Sequence, residues 1–333
     1  MKTARPWILL FTVAPLILGA AEPGAAGFRE ACGRLAAAGD SMTVAGNDGW
    51  LFLRSELRHI SVGPFWGEQA AKATQAASPD KADPLPAILD FHAQLKARGI
   101  ELILAPVPAK VLVYPEKLGH PSAPRLDEAH QQFLQLLRGR GVRVLDLGEV
   151  FAREKAAAGS ALLYCRTDSH WSPHACAVAA RQVKETLGTP PWLKARPGAF
   201  PTRAETRAIT GDLAGGQGTE TLPARVVQAP VASLEDRSSP ILLLGDSHTL
   251  VFHAGGDMHG VGAGLADQLA AELGLAVDVL GVRGSGATPA RINLLRRTKA
   301  DPAWLAGKKV VVWCFAAREF TESSGWSVVK LSQ

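Results

Sequence analysis

Residues suited to nucleophilic catalysis occur in two short stretches that lie far apart in the chain. Residues 240–249 read Pro-Ile-Leu-Leu-Leu-Gly-Asp-Ser-His-Thr, so that Ser247 follows a run of large apolar residues almost at once. Such a run is typical of a buried strand, and a glycine turn at its end can hold a serine hydroxyl above a sheet. A free serine is a weak nucleophile, so a base and a group that orients the base must come from elsewhere in the chain.

The segment Tyr-Cys-Arg-Thr-Asp-Ser-His-Trp-Ser-Pro at 164–173 supplies both groups. Asp168 and His170 are two residues apart, and on an extended segment both side chains point to one side. A carboxylate beside an imidazole can orient the ring and stabilise the imidazolium that forms when a serine is deprotonated. Alone, Asp168 would be interpreted as a helix cap or turn residue and His170 as a hydrogen-bonded loop histidine. Together with Ser247 they predict a nucleophilic serine site.

An alternation of helices and buried strands begins at residue 86 and predicts the sheet that positions these residues. We predict strands at 100–108, 142–147, 240–247, 276–282 and 308–315, and helices at 86–98, 124–139, 173–187, 259–273 and 287–298. This order implies parallel strands joined by right-handed crossovers, with helices on both faces. Ser247 then lies at the carboxyl end of its strand, where active sites of such sheets are found. The predicted fold class is α/β with a mostly parallel five-stranded sheet.

Residues 195–239 interrupt the alternation. They are rich in Pro, Arg, Thr and Gly and have no sustained hydrophobic period. We predict a long excursion over the site within a single domain covering 22–333. Earlier in the chain, Asn-Asp-Gly at 47–49 followed by Trp-Leu-Phe-Leu predicts a tight turn and a strand.

The composition fits an ordinary globular protein and argues against nucleic-acid binding. The chain has 333 residues, of which 47% are hydrophobic and 20% charged, which is ample for one large domain. Its net charge is only +5 and the basic residues are scattered, so no nucleic-acid surface is predicted. A mildly basic surface would tolerate an anionic polymer.

Residues 1–21 have the order of a secretory signal. Two positive charges in 1–6 precede an apolar stretch at 7–21, and small residues follow. The stretch is short for a membrane span, and the alternative interpretation is an uncleaved anchor. Either way the rest of the chain is exported.

The four cysteines fit no zinc-binding spacing. Cys176 and Cys314 fall in apolar runs and are expected as buried thiols. In an exported protein a disulfide is plausible, and Cys32 with Cys165 is the pair that we would test first.

Gly245-Asp246-Ser247, with an Asp-x-His pair upstream, resembles the SGNH hydrolase-like domain of the alginate O-acetyltransferase family, the AlgJ/AlgX type. Further blocks are similar in the family's order: Gly-Asn-Asp-Gly-Trp-Leu-Phe-Leu at 46–53, residues 95–110 with Val-Tyr-Pro-Glu at 113–116, Thr-Asp-Ser-His-Trp at 167–171, and Trp-Cys-Phe-Ala-Ala-Arg-Glu-Phe at 313–320. In ordinary SGNH esterases the Asp-His pair follows the serine, whereas here it precedes it. The resemblance therefore implies a three-layer SGNH-like fold with a permuted order of catalytic blocks.

The resemblance also implies roles for the site residues. Ser247 would be the nucleophile, His170 the general base and acid, and Asp168 the orienting carboxylate. The oxyanion hole would use the N–H of Ser247 and a second donor. The best candidates for that donor are N–H groups of the Gly-Val-Arg-Gly-Ser-Gly loop at 281–286, which contains Gly284 and Gly286.

Gly245 and Asp246 belong, with Ser247, to the turn at the end of the apolar run, which we call the serine turn. Asp246 would also cap the helix expected after Ser247. The asparagine usual in SGNH enzymes has no clear counterpart, since Asn293 falls inside a predicted helix. His248 is expected to point away from the reacting atoms.

Three further residues are candidates for binding an anionic sugar at the rim of the site. Arg318 follows the last strand, and its alternative is a surface salt bridge with Glu319 or another acid. Lys110 and Tyr114 follow the first core strand. A metal site of Asp168, His170 and His174 is conceivable, but no further strong ligand lies nearby, and we expect neither a metal nor another cofactor.

The function that the resemblance implies is acetyl transfer, through an acetyl-serine, to hydroxyls of an exported polysaccharide such as alginate. A membrane-bound acyltransferase would deliver the acetyl group, and the reaction would take place in the periplasm, with the enzyme free or anchored to the inner membrane through residues 7–21. The alternatives are an exported carbohydrate esterase with the same three residues and a non-catalytic scaffold of polysaccharide secretion.

Overall fold

The centre of the structure is a parallel sheet that ends at the predicted serine turn. The computed structural model describes residues 23–120, 125–157, 159–229 and 234–331, so the predicted signal or anchor at 1–21 lies outside the described residues. The strands, in chain order, are β1 (Thr43–Ala45), β2 (Leu51–Leu53), β3 (Glu101–Val107), β4 (Arg143–Val144), β5 (Thr202–Ile209), β6 (Glu220–Val227), β7 (Ile241–Gly245), β8 (Asp278–Gly281) and β9 (Val310–Ala316).

The helices lie mostly between the strands, as the sequence alternation predicts. In chain order they are α1 (Pro23–Ala37), α2 (Arg54–Ser61), α3 (Ala70–Ala73), α4 (Pro84–Lys96), α5 (Lys110–Val113), α6 (Glu128–Gly139), α7 (Leu147–Ala156), α8 (Pro173–Leu187), α9 (Leu265–Leu273), α10 (Thr288–Ala300), α11 (Pro302–Ala306) and α12 (Glu319–Glu322). Within the described ranges, every helix is too short or too polar to cross a membrane.

Five strands form the central sheet in the order β4-β3-β9-β7-β8, and all of their pairings are parallel. This confirms the predicted five-stranded sheet. β4 is much shorter than the predicted strand at 142–147, because Asp146 already caps α7 by accepting the N–H of Glu149 at 3.2 Å.

Alternate residues of the core strands face two different apolar layers. On one face Ile103, Leu243 and Val312 pack with α1, α2, α7, α8 and α9. On the other face Leu104, Leu244 and Trp313 pack with α4, α6, α10, α11 and α12. The continuous apolar runs of these strands follow from burial on both faces, and the result is the predicted three-layer α/β arrangement.

The stretch 195–239 is more regular than the sequence suggested. It contains an antiparallel hairpin in which β5 and β6 pair over their whole lengths. Side chains of β6 alternate between buried and exposed up to its last residues, whereas β5 is mostly exposed on both sides. Because β5 has few buried positions, its sequence shows no alternation of apolar and polar residues that would predict a strand. The loop between the two strands contacts the segment that contains Asp168, so the excursion does reach the site.

Two predicted helices and one disulfide need correction. Ser247–Thr249 forms a short 3₁₀ turn rather than the start of a helix, and the helix predicted at 259–273 begins only at Leu265, after a glycine-rich loop. Cys32 and Cys165 are both buried free thiols, so the suggested pair is not formed. Cys176 and Cys314 are buried free thiols, as predicted.

Candidate active site

The serine turn is held by unusually close packing of two parallel strands. A Cβ atom on Gly245 would lie 1.7 Å from the carbonyl oxygen of Cys314 on β9, so that only glycine fits at the end of β7. Asp246 then caps the turn, because its carboxylate accepts the N–H of His248 at 2.9 Å and that of Ala316 at 2.7 Å. The expected capping role of Asp246 is confirmed, although it caps a 3₁₀ turn. The cap uses the N–H of His248 and not that of Ser247.

Ser247, His170 and Asp168 form one hydrogen-bonded line. Nε2 of His170 lies 2.8 Å from Oγ of Ser247, and Nδ1 of the same ring lies 2.7 Å from Oδ1 of Asp168. The backbone N–H of His170 also donates to Oδ1 of Asp168 at 2.9 Å, which fixes the carboxylate relative to the ring. The structure thus brings together three residues that are up to 79 positions apart in the chain, in the order that deprotonation of a serine requires.

The other oxygen of Asp168 binds two groups that sequence reasoning missed. Oδ2 accepts the backbone N–H of Asp212 at 2.8 Å, and Nε2 of His259 lies 2.8 Å from the same atom. Asp212 comes from the loop of the β5–β6 hairpin and His259 from the glycine-rich loop before α9. The available signal for His259 was the stretch Gly-Gly-Asp-Met-His-Gly-Val-Gly-Ala-Gly at 255–264, which follows the serine turn closely.

The pKa values of Asp168 and His170 move apart because the two groups are paired. Burial alone would raise the pKa of Asp168, but hydrogen bonds from His170 and His259 lower it far below the usual carboxyl range. Burial alone would lower the pKa of His170, but the hydrogen bond and charge of Asp168 raise it above its ordinary value of 6.5. Asp168 is therefore an anion at neutral pH and supports a more basic imidazole.

A second buried carboxylate binds the backbone of the segment that contains Asp168. Glu220, on β6, accepts the backbone N–H groups of Arg166 and Thr167 at 2.7 and 3.0 Å. Asp212 binds the next part of the segment through Ser169, whose N–H and Oγ donate to its two oxygens at 2.6 and 2.5 Å. The hairpin therefore orders the loop on which Asp168 lies.

Lys110 is not a rim residue, which corrects the expectation from the sequence. It is fully buried, and its ammonium donates to the carbonyl oxygens of Leu51, Arg166 and Asp168 at 2.5, 2.9 and 3.0 Å. Burial lowers the pKa of Lys110 to about 8. The side chain fixes the backbone around Asp168 from inside the protein and is out of reach of a polysaccharide.

Tyr114 is also placed inside the protein rather than at the rim. Its hydroxyl accepts the N–H of Leu163 at 2.8 Å, and its ring lies 4.3 Å from that of Trp50. Burial raises the pKa of Tyr114 to about 12. The expectation that it contacts sugar is therefore wrong, and its role is to support the loop at 163–172.

Arg318 lies just beyond β9 and is largely buried, with 14% of its side chain exposed. Its guanidinium forms an ion pair with Glu56, at 3.3 Å from Nη1 to Oε1, so the salt bridge with Glu319 or another acid that the sequence left open is formed with another acid and is buried rather than at the surface. The charge of Arg318 contributes to lowering the pKa of Asp246 and opposes the rise in the pKa of His170. Arg318 is thus close to the serine turn, and its contact with an anionic sugar stays a prediction.

His248 lies beside the reacting residues without joining their hydrogen bonds. Its ring is buried, lies 4.9 Å from that of His170, and has Nδ1 3.3 Å from Oδ1 of Asp246. Burial would raise the pKa of Asp246, but the charge and hydrogen bond of His248 bring it down to about 2. Burial lowers the pKa of His248 itself, although the charge and hydrogen bond of Asp246 oppose that shift.

The glycine loop at 281–286 lies against the serine turn. A Cβ atom on Gly286 would lie 3.0 Å from the backbone nitrogen of Asp246, whereas Gly284 lies at the exposed tip of the loop. Ser285, between them, donates from Oγ to Oε2 of Glu319 at 2.5 Å. Burial raises the pKa of Glu319 to about 7. Of the two glycines, Gly286 is therefore the nearer candidate for a second oxyanion donor.

Asp168, His170 and Asp212 are the described residues grouped closely enough to hold a metal ion, with ligand atoms within 4.8 Å of one another. These atoms already take part in the ring–carboxylate pair and in the hydrogen bonds from Ser169 and from the Asp212 N–H. His174, the third ligand considered from the sequence, instead binds Glu154 at 2.9 Å. The donor set fits a hydrogen-bonded network better than a metal centre.

Comparison with known proteins identifies the family of the chain. Residues 43–317 match the family model described as the SGNH hydrolase-like domain of acetyltransferase AlgX. The chain belongs to this family. The match covers most of the chain, and it includes the serine turn, the Asp-x-His segment and every strand of the central sheet.

Relatives within the family are similar over different extents. The chain is 33% identical over 172 residues to the probable alginate O-acetylase AlgJ of Pseudomonas syringae pv. tomato, covering 51% of this chain and 40% of that protein. It is 30% identical over 211 residues to the protein of the same name from Pseudomonas putida, covering 63% and 50%. The matches thus span half or less of these relatives' own length.

A solved structure matches this chain over a larger share of both proteins than these relatives do. The O-acetyltransferase domain of Pseudomonas putida AlgJ superposes with a TM-score of 0.61 at 26% identity, covering 84% of this chain and 92% of that one. The fold is therefore that of the family's SGNH-like domain, as the sequence resemblance implied.

Proposed function

We propose that this chain is a polysaccharide O-acetyltransferase, which moves an acetyl group through an acetyl-serine to hydroxyls of an exported, alginate-like polysaccharide. The observation that carries the proposal is the hydrogen-bonded line from Asp168 through His170 to Oγ of Ser247. Membership of the family supports acetyl transfer, and the names of the relatives, probable alginate O-acetylases, support the kind of polymer.

In the first half of the reaction, Oγ of Ser247 attacks the carbonyl carbon of an acetyl donor while its proton passes to Nε2 of His170. The imidazolium that results is stabilised by the ionised Asp168 on its other nitrogen. When the tetrahedral intermediate collapses, the donor's leaving oxygen takes the proton from His170. The products are the deacetylated donor and acetyl-Ser247, with His170 neutral again.

In the second half, a sugar hydroxyl replaces the leaving group. It transfers its proton to Nε2 of His170 and attacks the acetyl carbonyl, and the collapse of the second intermediate returns that proton to Oγ of Ser247. Because the pKa of His170 is raised, we expect activity to rise with pH through a value above the ordinary 6.5.

The tetrahedral intermediates carry a negative oxygen that needs N–H donors. We assign one donor to the backbone of Ser247, whose N–H the Asp246 cap does not use. We assign the second to the loop at 281–286, with Gly286 the nearer of the two glycines to the turn. A fixed N–H of this kind is worth about 10²–10³ in turnover in enzymes of comparable chemistry.

The acceptor, donor and compartment belong to the same proposal. Arg318 supplies a fixed positive charge close to the serine turn, which suits a uronate carboxylate on the acceptor polymer. The donor would be an acetyl group handed over by a membrane-bound acyltransferase. The charged, apolar and small-residue order of residues 1–21 favours a periplasmic location, with or without an anchor to the inner membrane.

Incubation of the purified chain with an acetyl-ester donor and an oligouronate, followed by mass spectrometry of the sugar, tests the proposal. We expect acetylated oligosaccharide from the wild type and none from Ser247→Ala. Release of acetate without acetylated sugar would assign the same residues to an exported esterase. If polymer acetylation in cells were unchanged by Ser247→Ala, the chain would be a non-catalytic scaffold.

A further inference from the structure

Asp168 is bound by an imidazole on each of its two oxygens, and the mechanism above uses only one of them. His170 binds Oδ1 through Nδ1 at 2.7 Å, and His259 binds Oδ2 through Nε2 at 2.8 Å. From this juxtaposition we infer that His259 is a positioning residue, which holds Oδ2 of Asp168 so that Oδ1 stays on the ring of His170. This inference rests on the proposed function, since it concerns the orientation of the proposed base.

The backbone at His259 is arranged for this contact at some conformational cost. His259 has φ 63° and ψ 18°, a left-handed conformation that is unfavourable for a residue with a side chain. Glycine, which is frequent in the same loop, would adopt it freely. The histidine is therefore held in place by its contacts, which include the bond to the Asp168 carboxylate and the packing of its ring beside Phe252.

The glycine-rich loop that contains His259 lies between the two residues of a second buried Asp–His pair, which joins the two ends of the loop. Nδ1 of His253 lies 2.8 Å from Oδ1 of Asp267, and Oδ2 of Asp267 accepts the N–H of Gly264 at 2.9 Å. Across the loop, the N–H of Phe252 donates to the carbonyl of Met258 at 2.6 Å. These bonds connect α9 to the residue next to His259, so the ring approaches Asp168 from a fixed loop.

A donor on Oδ2 also affects the basicity of His170. By drawing negative charge away from Oδ1, it weakens the electrostatic support that Asp168 gives to the imidazolium, so its loss should make His170 more basic. Other groups also face this pair, and a substitution at His259 does not alter their chemistry. They include the Asp212 N–H on Oδ2, the Asp212 carboxylate 3.9 Å from Nδ1 of His170, the Lys110 ammonium on the Asp168 carbonyl, the charge of Arg318, and the His248 ring 4.9 Å from that of His170.

Two substitutions separate the hydrogen bond from the packing of the ring. His259→Phe keeps an aromatic ring beside Phe252, whose centroid lies 5.7 Å from that of His259, but removes the donor. His259→Gln keeps an N–H donor on a side chain of similar reach. His92→Phe, on α4 beside the start of β3, is the matched control at the far end of the sheet.

Turnover of 4-nitrophenyl acetate by the full chain, measured against pH and corrected for Ser247→Ala, tests the inference. For His259→Phe we expect kcat/KM to fall about 10- to 100-fold, as expected when one hydrogen bond to a charged group is lost from the transition state. We also expect the acid limb of the profile to move to higher pH. His259→Gln should restore most of both effects, and His92→Phe should match the wild type.

A folded His259→Phe protein with unchanged kcat/KM and an unmoved acid limb would overturn the inference. The inference would also be overturned if the maximal kcat/KM fell while the acid limb of the pH profile stayed in place and His259→Gln restored nothing. That pattern indicates a purely structural residue. If the wild type turns over no faster than Ser247→Ala, the proposed function fails instead. The inference is then decided by NMR titration of His170, whose pKa should still be higher in His259→Phe than in the wild type.

Discussion

At Gly211 the hairpin loop passes very close to the segment that contains Asp168. A Cβ atom there would lie 2.1 Å from the carbonyl oxygen of Thr167, where contacts below 3.0 Å are essentially never made. Gly211→Ala must therefore separate the two backbones by at least 0.9 Å, the difference between these distances. Because Asp212 is the next residue, its N–H moves away from Oδ2 of Asp168 together with the loop.

The size of the effect follows from this displacement. The hydrogen bond from the Asp212 N–H to Asp168 is 2.8 Å long, and the added separation carries it beyond hydrogen-bond range. A hydrogen bond to a charged group contributes about 1.5–3 kcal/mol. If the whole of it is used to hold Asp168 in the transition state, kcat/KM falls about 10- to 150-fold.

The assay is turnover of a chromogenic acetyl ester, with the rate of Ser247→Ala subtracted and folding verified by near-UV circular dichroism. Gly139→Ala, on α6, is the matched control because a Cβ atom there meets no neighbour within 4 Å. We expect the control to keep wild-type kcat/KM. A folded Gly211→Ala protein with wild-type kcat/KM would show that the close approach of the hairpin does not position Asp168, and would refute the reasoning.

Three further predictions concern stability and the thiols. Burial opposes protonation of His253, but hydrogen bonds to its two carboxylate partners raise its pKa to about 9. Since the folded pKa exceeds the unfolded one, this residue stabilises the protein by about 3 kcal/mol below pH 6.5, and the contribution is lost as pH rises through 9. Urea denaturation of His253→Gln should lack this pH dependence, and the same dependence in both proteins would contradict it. Asp246→Asn places an amide NH₂ against the backbone N–H of either His248 or Ala316, so that one of the two hydrogen bonds is lost. The free energy of unfolding should therefore fall by about 1–3 kcal/mol. An unchanged denaturation midpoint would be inconsistent with the cap. All four cysteines should react with a thiol reagent only after unfolding, and a disulfide-linked peptide in a non-reduced digest would contradict the free thiols.

The residues of the proposed reaction could be predicted because their signals are local. Ser247 follows a buried apolar strand within a few residues, and Asp168 and His170 lie two positions apart on one segment. Such patterns depend mainly on neighbouring residues, since successive side chains of an extended segment point to alternate sides and a short apolar run marks a buried strand. Three of the parallel strands, β3, β7 and β9, were predictable for the same reason, because each is a short apolar run buried on both faces, whereas β4 has only two residues and Arg143 in it is exposed.

The supporting residues were not predictable, because their partners come from distant parts of the chain. Asp212 and His259 reach Asp168 from two loops that lie 44 and 91 residues away in sequence. Lys110 was expected at the rim because it follows a strand end, but three carbonyl groups from other segments draw its ammonium inward. A pattern in the amino-acid sequence does not predict which carbonyl groups a buried lysine will bind.

Capture of the acetyl-serine is the most direct test of the account. The purified chain is incubated briefly with an acetyl-ester donor and no acceptor, quenched in acid, and its peptides are mapped by mass spectrometry. We predict one acetyl group on Ser247 in the wild type, lost on adding the oligouronate, and no acetylation of Ser247→Ala or of this serine in His170→Ala. A donor consumed without acetyl-Ser247, or acetyl groups at another residue in all three proteins, would contradict the mechanism.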